Sequence, residues 1–542
     1  MANLLSVVGG RATRTGHWPS RCTVGRARPG GPAQQRQPYE TQFYCVTLRR
    51  VQASSDPEWN EVAMFVNKMA RYELLAPDAI ETIDRGWRRI VSEIGVQFAK
   101  PEAVELFRQA GQSVDGETVR LDPEFVLEQV HKAPREFDVQ ARNPAHSVHI
   151  GGDHMVSTSV YGPPFVREGN VRRDSTMADF RKFSMLTQAF PELDSAGGVI
   201  CEPNDLPLES RHLDMILAKQ TLTDKFYFGD VISGPNALDT LEMTEILFGG
   251  REAIEQTPAT LASINCNSPL RWDDRMLDAQ FEYNRANQGV VLTPFLLMGA
   301  MSPVTIPAAL VQQLAEALSD VALTQLVRPG CPVVLGSFLS NIDMQTGAPC
   351  FGTPESVIGI FCTGQLARHL GLPFRTGGGL TSSQTPDAQA GYESLMTMLP
   401  TYLAGTNLVM QAAGWLESGL VSSYEKFVID VELLRILNAA FTPLEIDEAS
   451  LAFDAHLEVG PGGNFLGAAH TMQRFRDCFY HPLLSSSTNF ERWTRQGALD
   501  ASERATAIYE KALEEYQEPP LDDAIREELE DYVNRRRAEL SD

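Results

Sequence analysis

Two glycine-rich turns and a scatter of aromatic and amide side chains are the residues here whose types and spacing bear on chemistry. The first turn is Gly352-Thr353-Pro354-Glu355; the second is Gly377-Gly378-Gly379-Leu380-Thr381, continued by Ser382-Ser383-Gln384-Thr385-Pro386-Asp387-Ala388-Gln389. Three consecutive glycines strip away side chains where a bulky group could approach the backbone. Tyr161, Phe165, Phe338 and Trp415 offer ring faces, which attract cations by about 0.5–2 kcal/mol each. Glu355, Asp387 and Glu417 add negative field, and Asn265, Asn267 and Gln389 carry amides able to hydrogen-bond a carboxylate. Glu355, Asp387 and Gln389 are the catalytic candidates; the rings, Asn265, Asn267, Gly377, Gly378, Gly379 and Glu417 are the substrate-binding ones. Plainer readings stand beside these: Thr353-Pro354-Glu355 and Thr385-Pro386-Asp387 are good helix starts, and large rings fill cores.

What is missing narrows the chemistry further. Between residues 157 and 417 there are three lysines, Lys182, Lys219 and Lys225, and two histidines, His212 and His369. None of these lysines falls at the carboxyl end of an expected strand, where a Schiff-base enzyme needs one. Both histidines fall inside helical patterns, and no His and carboxylate cluster has metal-ligand spacing. Such a site holds a substrate better than it moves protons.

The elements that must position these residues alternate. Short apolar, β-branched runs at 156–161, 195–201, 225–229, 260–267, 290–298, 332–338, 373–377 and 407–415 each precede a helical pattern. Eight β-then-α units predict an α/β fold, a (β/α)8 TIM barrel, whose active site lies at the carboxyl ends of its strands. An open doubly wound sheet would announce a Gly-x-Gly-x-x-Gly turn, whereas the first turn here reads Tyr161-Gly162-Pro163-Pro164. Helical periodicity from Pro77 to Ile94, followed by short strands, predicts an N-terminal α+β subdomain over 64–150. The barrel is expected over 151–445, with a C-terminal helical region over 446–542 packing on it. The tail Ser502 to Leu540 suits either capping the barrel or joining the subunits of a homo-oligomer.

Composition bounds the partners. The 542 residues carry a formal charge of −24, which argues against a nucleic-acid binder. No run reaches the roughly 18 apolar residues of a membrane span. Eight cysteines form no Cys-x-x-Cys pair, so a reducing, cytoplasmic setting is expected. Residues 1–63 read as a disordered Arg-rich extension, a transit peptide, or sequence ahead of a true start at Met64 or Met69. Asp454-Ala455-His456-Leu457-Glu458-Val459-Gly460 imitates a corrinoid-binding Asp-x-His-x-x-Gly signature but is one residue too long, and it reads as chance.

Several segments together resemble the trimethylamine:corrinoid methyltransferase family. They are Ile90 to Val96, Ala133 to Phe137 with Ala141 to Pro144, the Gly352 turn, Gly377 to Glu393, Tyr424-Glu425, and Gly462-Gly463 followed by His470-Thr471. The resemblance implies a barrel that moves a methyl group from a methylated amine to the cobalt of a separate corrinoid protein. Corrinoid is then carried by that partner, with no cofactor held tightly by this chain. Members acting on trimethylamine carry pyrrolysine near Gly377 to Thr381; ordinary residues there resemble the non-pyrrolysine branch, in which quaternary amines such as glycine betaine are substrates. Pro461 and Asn464 flank the glycine pair near which relatives have His. Two other readings are a barrel lyase or phosphosugar enzyme using the Gly377–Gly379 loop for phosphate, and a non-catalytic binding subunit.

Overall fold

A computed structural model of the chain describes residues 64–541; the expectation for residues 1–63 lies outside them. Seven parallel strands form the ring of the central sheet: β1 (His154–Ser157), β2 (Tyr227–Phe228), β3 (Thr260–Cys266), β4 (Gly289–Met298), β5 (Val333–Gly336), β6 (Phe374–Gly377) and β7 (Leu408–Met410); Phe338–Ile342 extends beyond β5 along β4, and Phe65–Val66 and Pro349–Cys350 add short antiparallel pairings. Each pairs with its successor from β2 to β7. The last strand returns to the first, with Leu408 opposite Val156, so the sheet curls around its own interior. Between β1 and β2 the backbone of 194–197 bonds both ways. Asp194 N–H donates to the Ser157 carbonyl at 2.8 Å, and Ser195 forms a parallel bridge with Phe226.

Eight helices follow the strand positions: α1 (Met177–Ala189), α2 (Arg211–Leu222), α3 (Gly234–Phe248), α4 (Asp274–Arg285), α5 (Ile306–Val327), α6 (Pro354–Leu370), α7 (Ala388–Ala404) and α8 (Tyr424–Phe441). Sequence patterning locates all of them because parallel strands, buried on both faces, read as unbroken apolar runs between helical periods. Strand ends differ from expectation where the backbone turns left-handed. The run 195–201 supplies a bridge rather than a full strand, with Gly197 at φ +76°. The run 407–415 breaks at Gln411 and Gly414, at φ +55° and +99°, leaving Trp415–Leu416 to pair elsewhere.

One end of the curled sheet is plugged. The hairpin Phe137–Val139 with Val148–Ile150 packs its apolar side chains with Val156, Phe226, Phe228, Leu261, Val291, Val334, Leu408 and Met410. Its backbone bonds Pro258 and Asp224, just ahead of β3 and β2, which places the plug at the amino ends of the strands. The N-terminal α+β elements are not a separate core: Val96–Phe98 pairs with Arg271–Trp272, and Trp87, Phe98 and Phe107 share one cluster with α5.

Beyond α8 the chain divides. Helices α9 (Ala501–Glu514) and α10 (Asp523–Ser541) pack on the body; the Tyr532 hydroxyl and the Arg536 guanidinium both donate to Asp239 of α3 at 2.7 Å. Residues 443–479, by contrast, bury only Ala455 and Ala468.

Candidate functional site

The carboxyl ends of β3 to β6 carry a polar tier and, one step further out, an aromatic one. In register, Asn265 on β3 lies opposite Thr293 on β4, and Gly336 on β5 lies opposite Arg375 on β6. Thr293 Oγ1 sits over Gly336, where a Cβ would come within 2.2 Å of it. Because side chains two residues apart share a face, Phe295 and Phe338 stand on the same side one step toward the mouth. They pair in register and stack with centroids 4.8 Å apart. Asn265 is exposed and Phe295 half-buried, so the interior opens to solvent at this height.

Arg375 is the decisive member of the polar tier. It is 2 % exposed. One terminal nitrogen donates to Gln411 Oε1 at 2.9 Å and the other to the Ser337 carbonyl at 3.2 Å. Its Nε is buried without a partner, as are Thr293 Oγ1 and Ser159 Oγ. No carboxylate among the described residues pairs with it, and burial lowers its pKa to about 9. Besides these neutral dipoles its only other compensation among the described residues is the Phe338 ring, whose centre lies 5.5 Å from the guanidinium; such a desolvated cation is costly, and an anion entering from the mouth would offset that cost.

The aromatic tier gathers two of the expected rings with two others. Phe338, Phe351 and Trp415 meet with centroids 5.4–6.0 Å apart. The Trp415 indole N–H donates to the Thr381 carbonyl at 3.2 Å, which fixes the ring. Phe295 and Phe351 escaped the sequence reading; Phe351 lies in a loop, where spacing carries no signal about direction.

The other expected residues fall into different surroundings. Tyr161 packs against Phe228, at 6.2 Å, and against Gly198, whose absent Cβ would lie 2.0 Å from its ring. Phe165 already holds a cation: the Arg172 guanidinium lies 3.8 Å from its ring centre and also pairs with Glu417 at 2.9 Å. Phe165 belongs to a small sheet of Phe165–Glu168, Val171–Asp174, Trp415–Leu416 and Val421–Ser423, and Glu417 opens the short turn Glu417–Gly419 that joins the last two strands. Asp387 is exposed and caps α7, accepting from Ala390 N–H at 3.1 Å and Ser383 Oγ at 3.0 Å. Gln389 donates to Glu393 at 2.9 Å. Glu355 sits half-buried in the first turn of α6, and Asn267 is exposed past the end of β3.

The three glycines admit protein rather than ligand. A Cβ on Gly378 would lie 2.7 Å from Ala412 Cα, one on Gly377 2.6 Å from the Leu380 side chain, and one on Gly379 3.0 Å from the Asp430 carboxylate. Phosphate at Gly379 would meet that carboxylate, which removes the expected phosphate cradle. Asp430 pairs with Lys426 in a fully buried bridge. Lys426 also donates to the Gly379 carbonyl at 3.1 Å, and Asp430 accepts from Gly414 N–H at 2.9 Å. Burial raises Asp430 to about 6 against the pull of Lys426. Glu393 braces the same segment, accepting from Thr381 Oγ1 at 2.6 Å and Ser382 N–H at 2.8 Å. Lys426, Asp430 and Glu393 went unnoticed in the sequence because each sits inside a helical period and reads as surface charge.

A cavity of about 300 Å³ lies at the opposite end, lined by His146, Asp194, Asp224 and Lys225 among others. Its charges are already satisfied: Lys225 donates to the carbonyls of Thr187, Phe190 and Leu193, and His146 meets Asp224 at 2.6 Å.

Residues 47–541 match the family model described as Trimethylamine methyltransferase (MTTB). The chain belongs to this family. It is 37% identical over 475 residues to the glycine betaine methyltransferase of Desulfitobacterium hafniense (strain Y51), covering 88% of this chain and 99% of that one. The trimethylamine methyltransferase of D. hafniense (strain DSM 10664 / DCB-2) is 29% identical, covering 82% and 90%. The proline betaine:corrinoid methyltransferase of Eubacterium limosum is 27% identical, covering 87% and 99%. The resemblance read from the sequence is thus correct, and the chain is a methyltransferase of the betaine-like, non-pyrrolysine branch.

Proposed function

We propose that this chain moves a methyl group from a small quaternary amine bearing a carboxylate to the cobalt of a corrinoid held by a separate protein. Arg375 carries the substrate class. A buried guanidinium with a free Nε and no acidic partner suits a carboxylate, to which charge-assisted hydrogen bonds contribute about 1.5–3 kcal/mol. Phe295, Phe351 and Trp415, one step nearer the mouth, suit the ammonium group, and Phe338 stands between them and the Arg375 guanidinium. A zwitterion bound across both tiers points its carboxylate inward and its methyl groups outward, toward the face where a partner protein has access. Relatives named for glycine betaine and proline betaine support this choice over an amine without a carboxylate.

The reaction asks little acid–base chemistry of the chain. The carbon–nitrogen bond breaks, its electron pair stays on nitrogen, and a neutral tertiary amine leaves without needing a proton. The methyl carbon is attacked by the partner's reduced cobalt, which supplies the electron pair of the new bond. This chain's residues bind, orient the methyl for in-line attack and keep water out. Thr293, Asn265 and Gln411 would complete the carboxylate's hydrogen bonds. No catalytic lysine or histidine is required.

The same reading takes residues 194–197 as the strand between β1 and β2, completing a (β/α)8 barrel with the site at its usual face. No helix among the described residues is long and apolar enough to cross a membrane, and we take the enzyme to work in the cytoplasm. Calorimetric titration tests the substrate class. Glycine betaine is expected to bind at least about tenfold more tightly than trimethylamine or choline, and Arg375→Gln to erase the difference. Equal binding of all three by the native protein would overturn it.

A further inference from the structure

We propose that residues 443–479 form an arm that packs on α7 of a second copy of this chain. The segment is built but has almost no core of its own. It holds two short helices, Phe453–Val459 and Ala469–Arg474, and its hydrogen bonds close within it: Asp447 with Ser450, and Glu458 with Ala469 N–H. The backbone rejoins the body only where Leu483 and Leu484 N–H donate to Glu432 of α8. Two buried alanines cannot offset the entropy of ordering such a stretch.

Its outer surface carries large apolar side chains among its charges. Leu444, Ile446, Phe453, Leu457, Leu466 and Phe479 are each between 66 % and 87 % exposed. Summed over the six, the exposed side chain is on the order of 800 Å², against roughly 300–600 Å² for the largest apolar patch of a typical monomer. That area equals one side of a stable protein–protein interface, about 800 Å². A methyl acceptor's carrier must dock and leave at every turnover, which favours a smaller and more polar contact. Permanent, apolar contacts of this size belong to homo-oligomers.

A matching surface lies on the same chain. On α7, Tyr392, Leu395 and Met396 are exposed, at the spacing of one helical face, pointing away from the curled sheet where polar residues are expected. The chain's own arm leaves these side chains uncovered. Two unpartnered apolar surfaces on one chain satisfy each other when two copies exchange arms about a twofold axis. The α7 stripe adjoins Gln389 and Glu393, which brace the glycine segment, so assembly would also stiffen that side of the site.

The test is the mass of the full-length protein by sedimentation, with hydrogen exchange read on the arm. The native chain is expected to be a dimer or a higher symmetric oligomer at micromolar concentration, with slowly exchanging arm amides. Leu395→Glu with Met396→Glu, and separately Leu466→Asp, alter only exposed positions; each should yield monomer whose arm exchanges at least tenfold faster while the far-UV spectrum is unchanged. A native monomer overturns the proposal, and if its arm is nonetheless protected, residues 1–63 become the cover. An oligomer surviving both sets of substitutions overturns it too. So does arm protection that appears only when the corrinoid protein is added.

Discussion

Arg375, on which the proposed substrate class rests, shows how little of a residue's surroundings is visible in sequence. In the sequence it is a lone basic residue two positions ahead of three glycines. Its meaning comes from what faces it, because the absence of a carboxylate around a buried guanidinium is a property of seven strands together. Of the expected residues, Phe338 and Trp415 come together in one aromatic cluster, whereas Phe165 and Glu417 are both engaged by Arg172. Arg375→Lys keeps the charge but loses the planar fork, so KM for a betaine should rise about tenfold with kcat little changed, as measured by steady-state methyl transfer. A second residue speaks to stability alone. Asp320 on α5 is wholly buried, accepts one hydrogen bond from Gln280 at 3.1 Å and leaves Oδ2 unpartnered. Burial raises its pKa from 3.8 to about 8. In that window the folded chain keeps a proton that the unfolded chain has released, so stability falls as pH rises from about 4 to about 8. Asp320→Asn should flatten that decline and raise Tm more at pH 8 than at pH 5, as read by calorimetric melts.

At the scale of elements, the loops after β6 and β7 are held by backbone contact rather than shaped for a ligand. The glycine run stood out in the sequence because glycine is rarely repeated without cause, but the cause is tertiary: the loop holding Ala412 presses against Gly378, and Asp430 against Gly379. Gly378→Ala must push these apart and should lower kcat/KM by about tenfold or more, since a 1 Å displacement of a positioning loop is costly. Lys426 and Asp430 lock the two loops from behind. Removing one partner strands a buried charge, and Lys426→Met should cost about 3–5 kcal/mol in denaturant unfolding, whereas the double variant Lys426→Met with Asp430→Leu should recover much of that. Helix positions were readable from periodicity and caps; strand ends were not, because a single left-handed residue such as Gln411 ends a strand without changing the apolar pattern.

For the molecule as a whole, the alternation of strand and helix was legible, since each unit repeats the same local pattern, although the expected strand at 195–201 is only a bridge. The curl of the sheet, the plug at its amino end and the arm at 443–479 were not, because each depends on contacts between distant segments or between chains. The plug fills the amino end, and at the opposite end the proposed site sets aromatic rings above Arg375, an arrangement suited to a zwitterion with its methyl groups outward. Methyl transfer itself tests this arrangement most directly. Under anaerobic conditions, the chain is mixed with the cognate corrinoid protein in its Co(I) form, and the absorption spectrum is followed with glycine betaine, choline or trimethylamine as donor. Conversion to methyl-Co(III) with the betaine, strongly slowed by Arg375→Gln, is the predicted result. Equal conversion with choline or trimethylamine, or no conversion with any carboxylate-bearing quaternary amine, would contradict it.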